Sequence, residues 1–343
     1  MASLGKVLRV FCRNLVPGLL VMSCVMASAQ LAMGHDTAKT DASGHPTVFT
    51  TVASGTPTNQ PGRGLQFLCI PEVIVYNGGV APVYSEVDTP WVEGLSVILS
   101  KIAYVEGQVM WPDRQFRTIV GLFTRRFVGN GLPNHATGEF PVREGSAAYP
   151  YYNAAAAPEP YGTADKIPIS AYDLDITVPR WPVYFGKPTC ISHLISGVAT
   201  QTGVTWHANI ALGDGWVDPI AALPTDECFG HPYDEQYHYH GWSWKCFPNQ
   251  GSAKKHSPLF GYALDGFGIY GPRGDGGKLV KNADLDECHG HFGTVEWDGY
   301  KKYMYHYHLN SEFPYGPGCL KGRPLAKVND AMFQKYAPKF PSK

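Results

Sequence analysis

The order Asp-Glu-Cys-x-Gly-His, Tyr-His-Tyr-His, Cys runs twice along the 343 residues, and no bulk property constrains the fold as much. The first copy is Asp226-Glu227-Cys228-Phe229-Gly230-His231, then Tyr237-His238-Tyr239-His240, then Cys246. The second is Asp286-Glu287-Cys288-His289-Gly290-His291, Tyr305-His306-Tyr307-His308 and Cys319. Alternate side chains of a strand face opposite ways, so each tetrapeptide puts two imidazoles on one face of a sheet and two phenols on the other. Ala211-Leu212-Gly213-Asp214-Gly215-Trp216 precedes the first copy and Ala263-Leu264-Asp265-Gly266-Phe267 the second. Both read as a strand reaching an Asp-Gly turn. The predicted unit is strand, turn, hexapeptide, histidine strand and cysteine, over 205–246 and 259–319, with two units side by side about a pseudo-twofold axis.

Composition agrees with short strands joined by turns. Gly and Pro number 38 and 28, while charged residues are 17%, below the usual quarter. The expected fold is mainly β, with sandwich-like or barrel-like sheets around the duplicated, disulfide-closed, histidine-rich unit and little helix. Residues 66–127 read as an N-terminal β layer, with strands at 73–76, 96–102 and 116–127 and a hairpin signal at Asn77-Gly78-Gly79. Residues 167–185 return to strand-like patterning, and 324–343 form a tail with at most one short helix.

Lys6, Arg9 and Arg13 precede an apolar run from Leu15 to Met26, too short to span a bilayer comfortably. Residues 1–29 therefore read as a signal peptide, and the mature chain is expected to be secreted or periplasmic, with no transmembrane segment. Anchoring as a lipoprotein at Cys24 is disfavoured by the Val25-Met26 that follows it. Residues 30–65, poor in large apolar side chains, read as a disordered linker. Cleavage after Gly34 would instead leave His35 at the N-terminus as a copper chelator, which is secondary to a solvated histidine in a tail. Removing 1–29 takes away three basic residues and no acidic one, moving the formal net charge from −1 to −4. Such a chain has no electrostatic case for nucleic acid.

Six cysteines stay in the mature chain, an even number that in an exported protein reads as disulfides. The repeat pairs Cys228 with Cys246 and Cys288 with Cys319, leaving Cys69 for Cys190. Neutral imidazole suits zinc, copper, iron and nickel. The candidate ligands are His231, His238, His240, His289, His291, His306 and His308. Each unit offers three histidines, the number found in several catalytic zinc sites with an open position. Phe229 stands where the second copy has His289, so the second site is expected to be the richer one. Asp226, Glu227, Asp286 and Glu287 are candidates for orienting imidazoles or for a general base. His193 and His207 read as structural. No Ser-His-Asp arrangement, phosphate-binding loop or dinucleotide fingerprint stands in a convincing context.

These residues resemble the YHYH-domain family of exported proteins over about 128–323. The motifs that carry the resemblance are Asn130-Gly131-Leu132-Pro133-Asn134-His135, His256-Ser257-Pro258-Leu259-Phe260-Gly261, Asp265-Gly266-Phe267-Gly268-Ile269-Tyr270-Gly271, the second hexapeptide and tetrapeptide, and Phe313-Pro314-Tyr315. Gly268 stands where the family tends to have proline, and Asp214-Gly215 where it has Asn-Gly. The resemblance adds His135 and His256 as weaker ligand candidates and implies no reaction. The expected protein binds copper or zinc through its duplicated histidine strands. Two other readings stay open: a metal-dependent enzyme (copper oxidoreductase or metal-assisted hydrolase), and a metal-free module for a glycan or other small ligand.

Overall fold

The computed structural model describes residues 60–69, 92–93, 95–149, 167–191, 195–208, 219–233 and 235–325. The expected signal peptide, most of the expected linker, the hairpin expected at Asn77-Gly78-Gly79, His35, His193, Asp214-Gly215 and most of the expected C-terminal tail lie outside them. The fold is mainly β. Among the described residues the longest helical piece is the four-residue Pro219–Ala222, and none could cross a membrane.

Among the described residues thirteen strands form three sheets. β1 (Val92–Glu93) and β2 (Ser96–Val97) make a small ribbon. β3 (Phe116–Val120), β4 (Thr124–Gly129) and β5 (Leu174–Pro179) form an antiparallel meander. The stretch expected as one strand over 116–127 turns back at Gly121, whose N–H bonds the Thr124 carbonyl. Because β4 pairs with β5 along its whole length, the boundary expected at 127–128 cuts through a sheet. Phe127 stacks on Tyr262 of the large sheet, and Arg125 lies over both Tyr262 and Trp297. Both sheets thereby contribute to one core.

The large sheet has eight strands: β6 (Ile195–Ala199), β7 (Val204–His207), β8 (Gly230–Tyr233), β9 (Gln236–Tyr239), β10 (Leu259–Ala263), β11 (Gly268–Tyr270), β12 (Gly290–Trp297) and β13 (Tyr300–His308). Their order is β12-β13-β11-β10-β6-β7-β9-β8, an open sheet and not a barrel. That order is a palindrome. Matching β6 with β10, β7 with β11, β9 with β13 and β8 with β12 makes the halves equivalent. Each half contains the same antiparallel hairpin, parallel crossover and antiparallel hairpin. Both first hairpins even carry a register shift at the matching place, between Ile195 and Gly197 and between Leu259 and Gly261.

The pseudo-twofold axis passes between β6 and β10, where Tyr262 faces Val198 and the flanking pairs are Gly261–Ala199 and Ala263–Gly197. Backbones approach closely at this seam. A Cβ on Gly197 would lie 2.7 Å from the Tyr262 carbonyl oxygen, and one on Gly261 would overlap the Val198 carbonyl. The first unit accordingly starts at Ile195, earlier than the expected 205. The counterpart of the Ala263–Phe267 turn is the Ala199–Val204 turn, closed by a Gly203 N–H to Ala199 carbonyl bond of 2.8 Å. Ala211–Trp216, the segment aligned with it by sequence, lies outside the described residues.

Candidate metal centres

Each histidine strand is fixed from both ends by the same local device. Asp226 Oδ1 accepts the N–H groups of Cys228 and Gly230 at 2.9 and 3.1 Å, and Asp286 Oδ1 accepts those of Cys288 and Gly290 at the same distances. The Tyr237 hydroxyl donates to Asp226 at 2.7 Å and the Tyr305 hydroxyl to Asp286 at 3.0 Å. A disulfide then ties each turn to the segment beyond its histidine strand: Cys228–Cys246 and Cys288–Cys319, with Cys69–Cys190 as the third. These bonds occupy the two aspartates proposed as bases. Glu227 pairs with Lys245 and Glu287 with Lys321. None of the four carboxylates joins the ligand atoms of a histidine cluster.

The phenols fill the opposite face. Tyr307 donates to Asp265 at 2.7 Å, and Tyr239 meets the His135 imidazole. Burial, the largest cause, holds Tyr237, Tyr239, Tyr305 and Tyr307 well above the ordinary phenol value, so they stay protonated donors.

On the imidazole face the structure gathers two clusters. His231, His238 and His240 meet in the first unit, and His291, His306 and His308 meet in the second with His256 added. In the first, Nε2 of His240 lies 2.9 Å from Nε2 of both His231 and His238. In the second, the Nε2 separations are 3.2 Å for His291–His306, 3.1 Å for His291–His308, 3.0 Å for His306–His308 and 3.2 Å for His256–His306.

For five of the seven rings the other nitrogen settles which tautomer is present. His238 Nδ1 faces the Gln236 carbonyl at 3.0 Å, and His306 Nδ1 the Met304 carbonyl at 3.2 Å. His308 Nδ1 faces the Gly271 carbonyl at 2.7 Å and His256 Nδ1 that of Ser257 at 2.7 Å, while His240 bonds the Ala208 backbone. A carbonyl only accepts, so each of these Nδ1 atoms carries the proton and each Nε2 presents a lone pair. The lone pairs of His238 and His240 at 2.9 Å, of His306 and His308 at 3.0 Å and of His256 and His306 at 3.2 Å repel one another unless a cation lies between them. Tetrahedral zinc with imidazole would hold its nitrogens about 3.3 Å apart, given bonds of about 2.05 Å. The spacing fits.

Burial keeps the rings neutral. It lowers the His238 pKa to about 4 and that of His306 to about 3, and pushes His231, His240 and His308 well below the ordinary value. His256 and His291, half-buried, are lowered as well. The donor set is therefore the neutral imidazole that metals take.

Two candidates take other places. His289 follows Cys288 at φ 72°, as Phe229 follows Cys228 at φ 56°, and this left-handed step breaks the strand alternation that would have aligned it with His291. Its ring is buried beside Asn310, with burial taking its pKa to about 3. His135 stands by Cys228 and Cys246, but those sulfurs are bonded to each other, and its Nδ1 faces the Ala136 carbonyl at 2.8 Å. His256 reaches the second cluster from the segment joining the units, a placement that no local spacing encodes. His207, read as structural, stacks on His238 with ring centres 3.8 Å apart.

The family model described as YHYH protein matches residues 183–278. This YHYH region holds the whole first unit, the seam, His256 and β11. It ends before β12 and β13, so the second tetrapeptide extends the repeat beyond the match, and the span is shorter than the resemblance over 128–323. No curated protein and no solved structure matches the chain.

Proposed function

We propose that this is an exported transition-metal-binding protein that holds copper or zinc at the two histidine clusters. One observation carries the reading: the Nε2 lone pairs of His238 and His240, and those of His256, His306 and His308, converge while backbone carbonyls hold the opposite nitrogens protonated. Such a carbonyl partner is the outer contact that metal-bound histidines use to fix ring orientation and tautomer. His231, His238 and His240 would hold one ion, and His256, His291, His306 and His308 the other. Three disulfides suit an oxidising compartment. A bound copper or zinc ion supplies Lewis acidity, and in the case of copper a one-electron couple. Retention and delivery of the ion fit better than turnover, because the nearby aspartates are committed to the turns.

Metal analysis of protein purified from its native compartment tests the reading. Stoichiometric copper or zinc is expected, with loss of part of it in a His306→Ala/His308→Ala variant. Protein without stoichiometric metal, whose metal affinity the variant leaves unchanged, would end the proposal and leave a hydrogen-bonded histidine core in a structural or glycan-binding module.

A further inference from the structure

The two clusters differ in ways that bear on the charge of the ion each can hold. In the first, all three ligands are buried, at 5%, 2% and 5% exposure for His231, His238 and His240. Among the described residues no carboxylate acts on His231 or His238, whose electrostatic neighbours are the backbone and other imidazoles. In the second, His256 and His291 are half-buried, and the rim is acidic. Asp275 acts on both of these rings, and Asp284 and Asp286 on His291. Asp284 is partly neutralised by Lys278 at 2.7 Å and Asp286 by Lys321 at 3.6 Å. Asp275 is exposed, with no ion pair among the described residues.

Asp275 reaches the second cluster through a gap in β12. A Cβ on Gly293 would lie 3.0 Å from Cε1 of His306 and 3.5 Å from Oδ2 of Asp275, so this glycine leaves the carboxylate and a ligand ring neighbours. The register matches His291–His306 with His231–His238, and Gly293–Met304 with Tyr233–Gln236. The first unit therefore has Tyr233 where the second has its gap. Among the described residues the copies differ at this position, glycine beside Asp275 in one and tyrosine in the other.

We infer that the two sites divide cations by charge: the first takes a monovalent soft ion, copper(I), and the second a divalent ion, zinc or copper(II). This rests on the metal-binding reading. The cost of taking an ion out of water scales with the square of its charge, so a dication costs about four times as much as a monocation of similar size. The second site offsets that cost with a fourth imidazole, two partly exposed ligands and the Asp275 carboxylate. Among the described residues the first has none of these. Three neutral nitrogens suit copper(I), a closed-shell ion that accepts planar three-coordination. Four suit the tetrahedral or tetragonal preferences of zinc and copper(II).

The test uses the mature metal-free protein. Zinc is titrated alone, and copper(I) is delivered anaerobically against a chromophoric copper(I) chelator. One tight zinc equivalent is expected, abolished in the His306→Ala/His308→Ala variant. The tightest copper(I) equivalent should survive in that variant and vanish in His238→Ala/His240→Ala. Since buried substitutions threaten folding, the exposed Asp275→Asn variant gives a separate reading: zinc affinity should fall about tenfold while the tightest copper(I) equivalent holds within about twofold. Two zinc equivalents of similar affinity, or an equal effect of Asp275→Asn on both ions, would overturn the division of charge and leave metal binding intact. Failure to bind either ion would sink the metal-binding reading itself.

Discussion

The two halves of the large sheet share strand order, bulges, turn aspartates and disulfide placement, yet their second hairpins differ in reach. β8 and β9 are four residues each, while β12 and β13 run to eight and nine. The extra length carries Trp297 and Asp298 to β4, where Asp298 pairs with the buried Arg125 and with Arg180. Unit two is thus bolted to the three-stranded sheet through Asp298, whereas unit one is held by backbone pairing with neighbouring segments, Thr225 with Tyr104 and Glu235 with Ser170. Duplication preserved what builds a histidine strand and let the surroundings of each cluster drift. Ligand number, exposure and local charge came apart while the backbone frame did not.

The most severe way to break the equivalence is to remove ligands. His238→Ala/His240→Ala and His306→Ala/His308→Ala should each lower affinity at their own site by on the order of a thousandfold, about 4 kcal/mol. Competition titration should show the other site changed by less than threefold. A variant that empties both would show one shared centre in place of two.

Breaking the bridges comes next. The sequence separations of 18 for Cys228–Cys246 and 31 for Cys288–Cys319 correspond to about 3 and about 4 kcal/mol in the chain-entropy account. Denaturant melts of the paired Cys→Ser variants should rank them in that order. A reversed ranking would mean that strain or residual structure in one unit outweighs loop length.

Acid should weaken the metal-free fold through the buried rings. His238 is held at about 4, below the unfolded imidazole value of about 6.5. Its contribution is complete above about 6.5 and is lost as pH falls from there through about 4, because the unfolded chain then binds the extra proton. Between pH 7.5 and 5 one such ring accounts for about 2 kcal/mol, visible as a falling thermal midpoint. A flat midpoint over that range would contradict the burial of these rings.

The smallest effects sharpen the comparison at its one mismatched turn position. Phe229 packs with Ile102, Ile220 and Tyr315, so Phe229→His should cost about 2 kcal/mol by burying a poorly partnered ring. His289→Phe should change stability by about 1 kcal/mol or less and leave metal binding at wild-type levels. Lost metal in His289→Phe would place that ring among the ligands.

Much of this frame was legible in the residues. Alternation in Tyr-His-Tyr-His put imidazoles and phenols on opposite faces, and the repeat paired Cys228 with Cys246 and Cys288 with Cys319. Three features were not. The first strand of unit one is hidden in the sequence because Ser196-Gly197-Val198-Ala199 shares only Gly and Ala with Phe260-Gly261-Tyr262-Ala263, while Ala-Leu-Gly-Asp-Gly at 211–215 is the closer match in letters. His289 looked like half of a His-x-His pair, but that spacing means a shared face only on a strand, and His289 sits in a turn at φ 72°. Its alignment with Phe229, followed by glycine in both copies, was the available clue. His256 joins its cluster through tertiary folding, and spacing along the chain holds no record of that.

The seam between β6 and β10 says something about origin. Three residue pairs join the halves there, antiparallel and self-complementary, with a glycine on each side cleared for close approach. A free-standing half would expose that strand as an unpaired edge and would find its best partner in another copy of itself. The present chain therefore has the form of a fused homodimer, in which joining two identical subunits freed each of them to specialise without losing its mate.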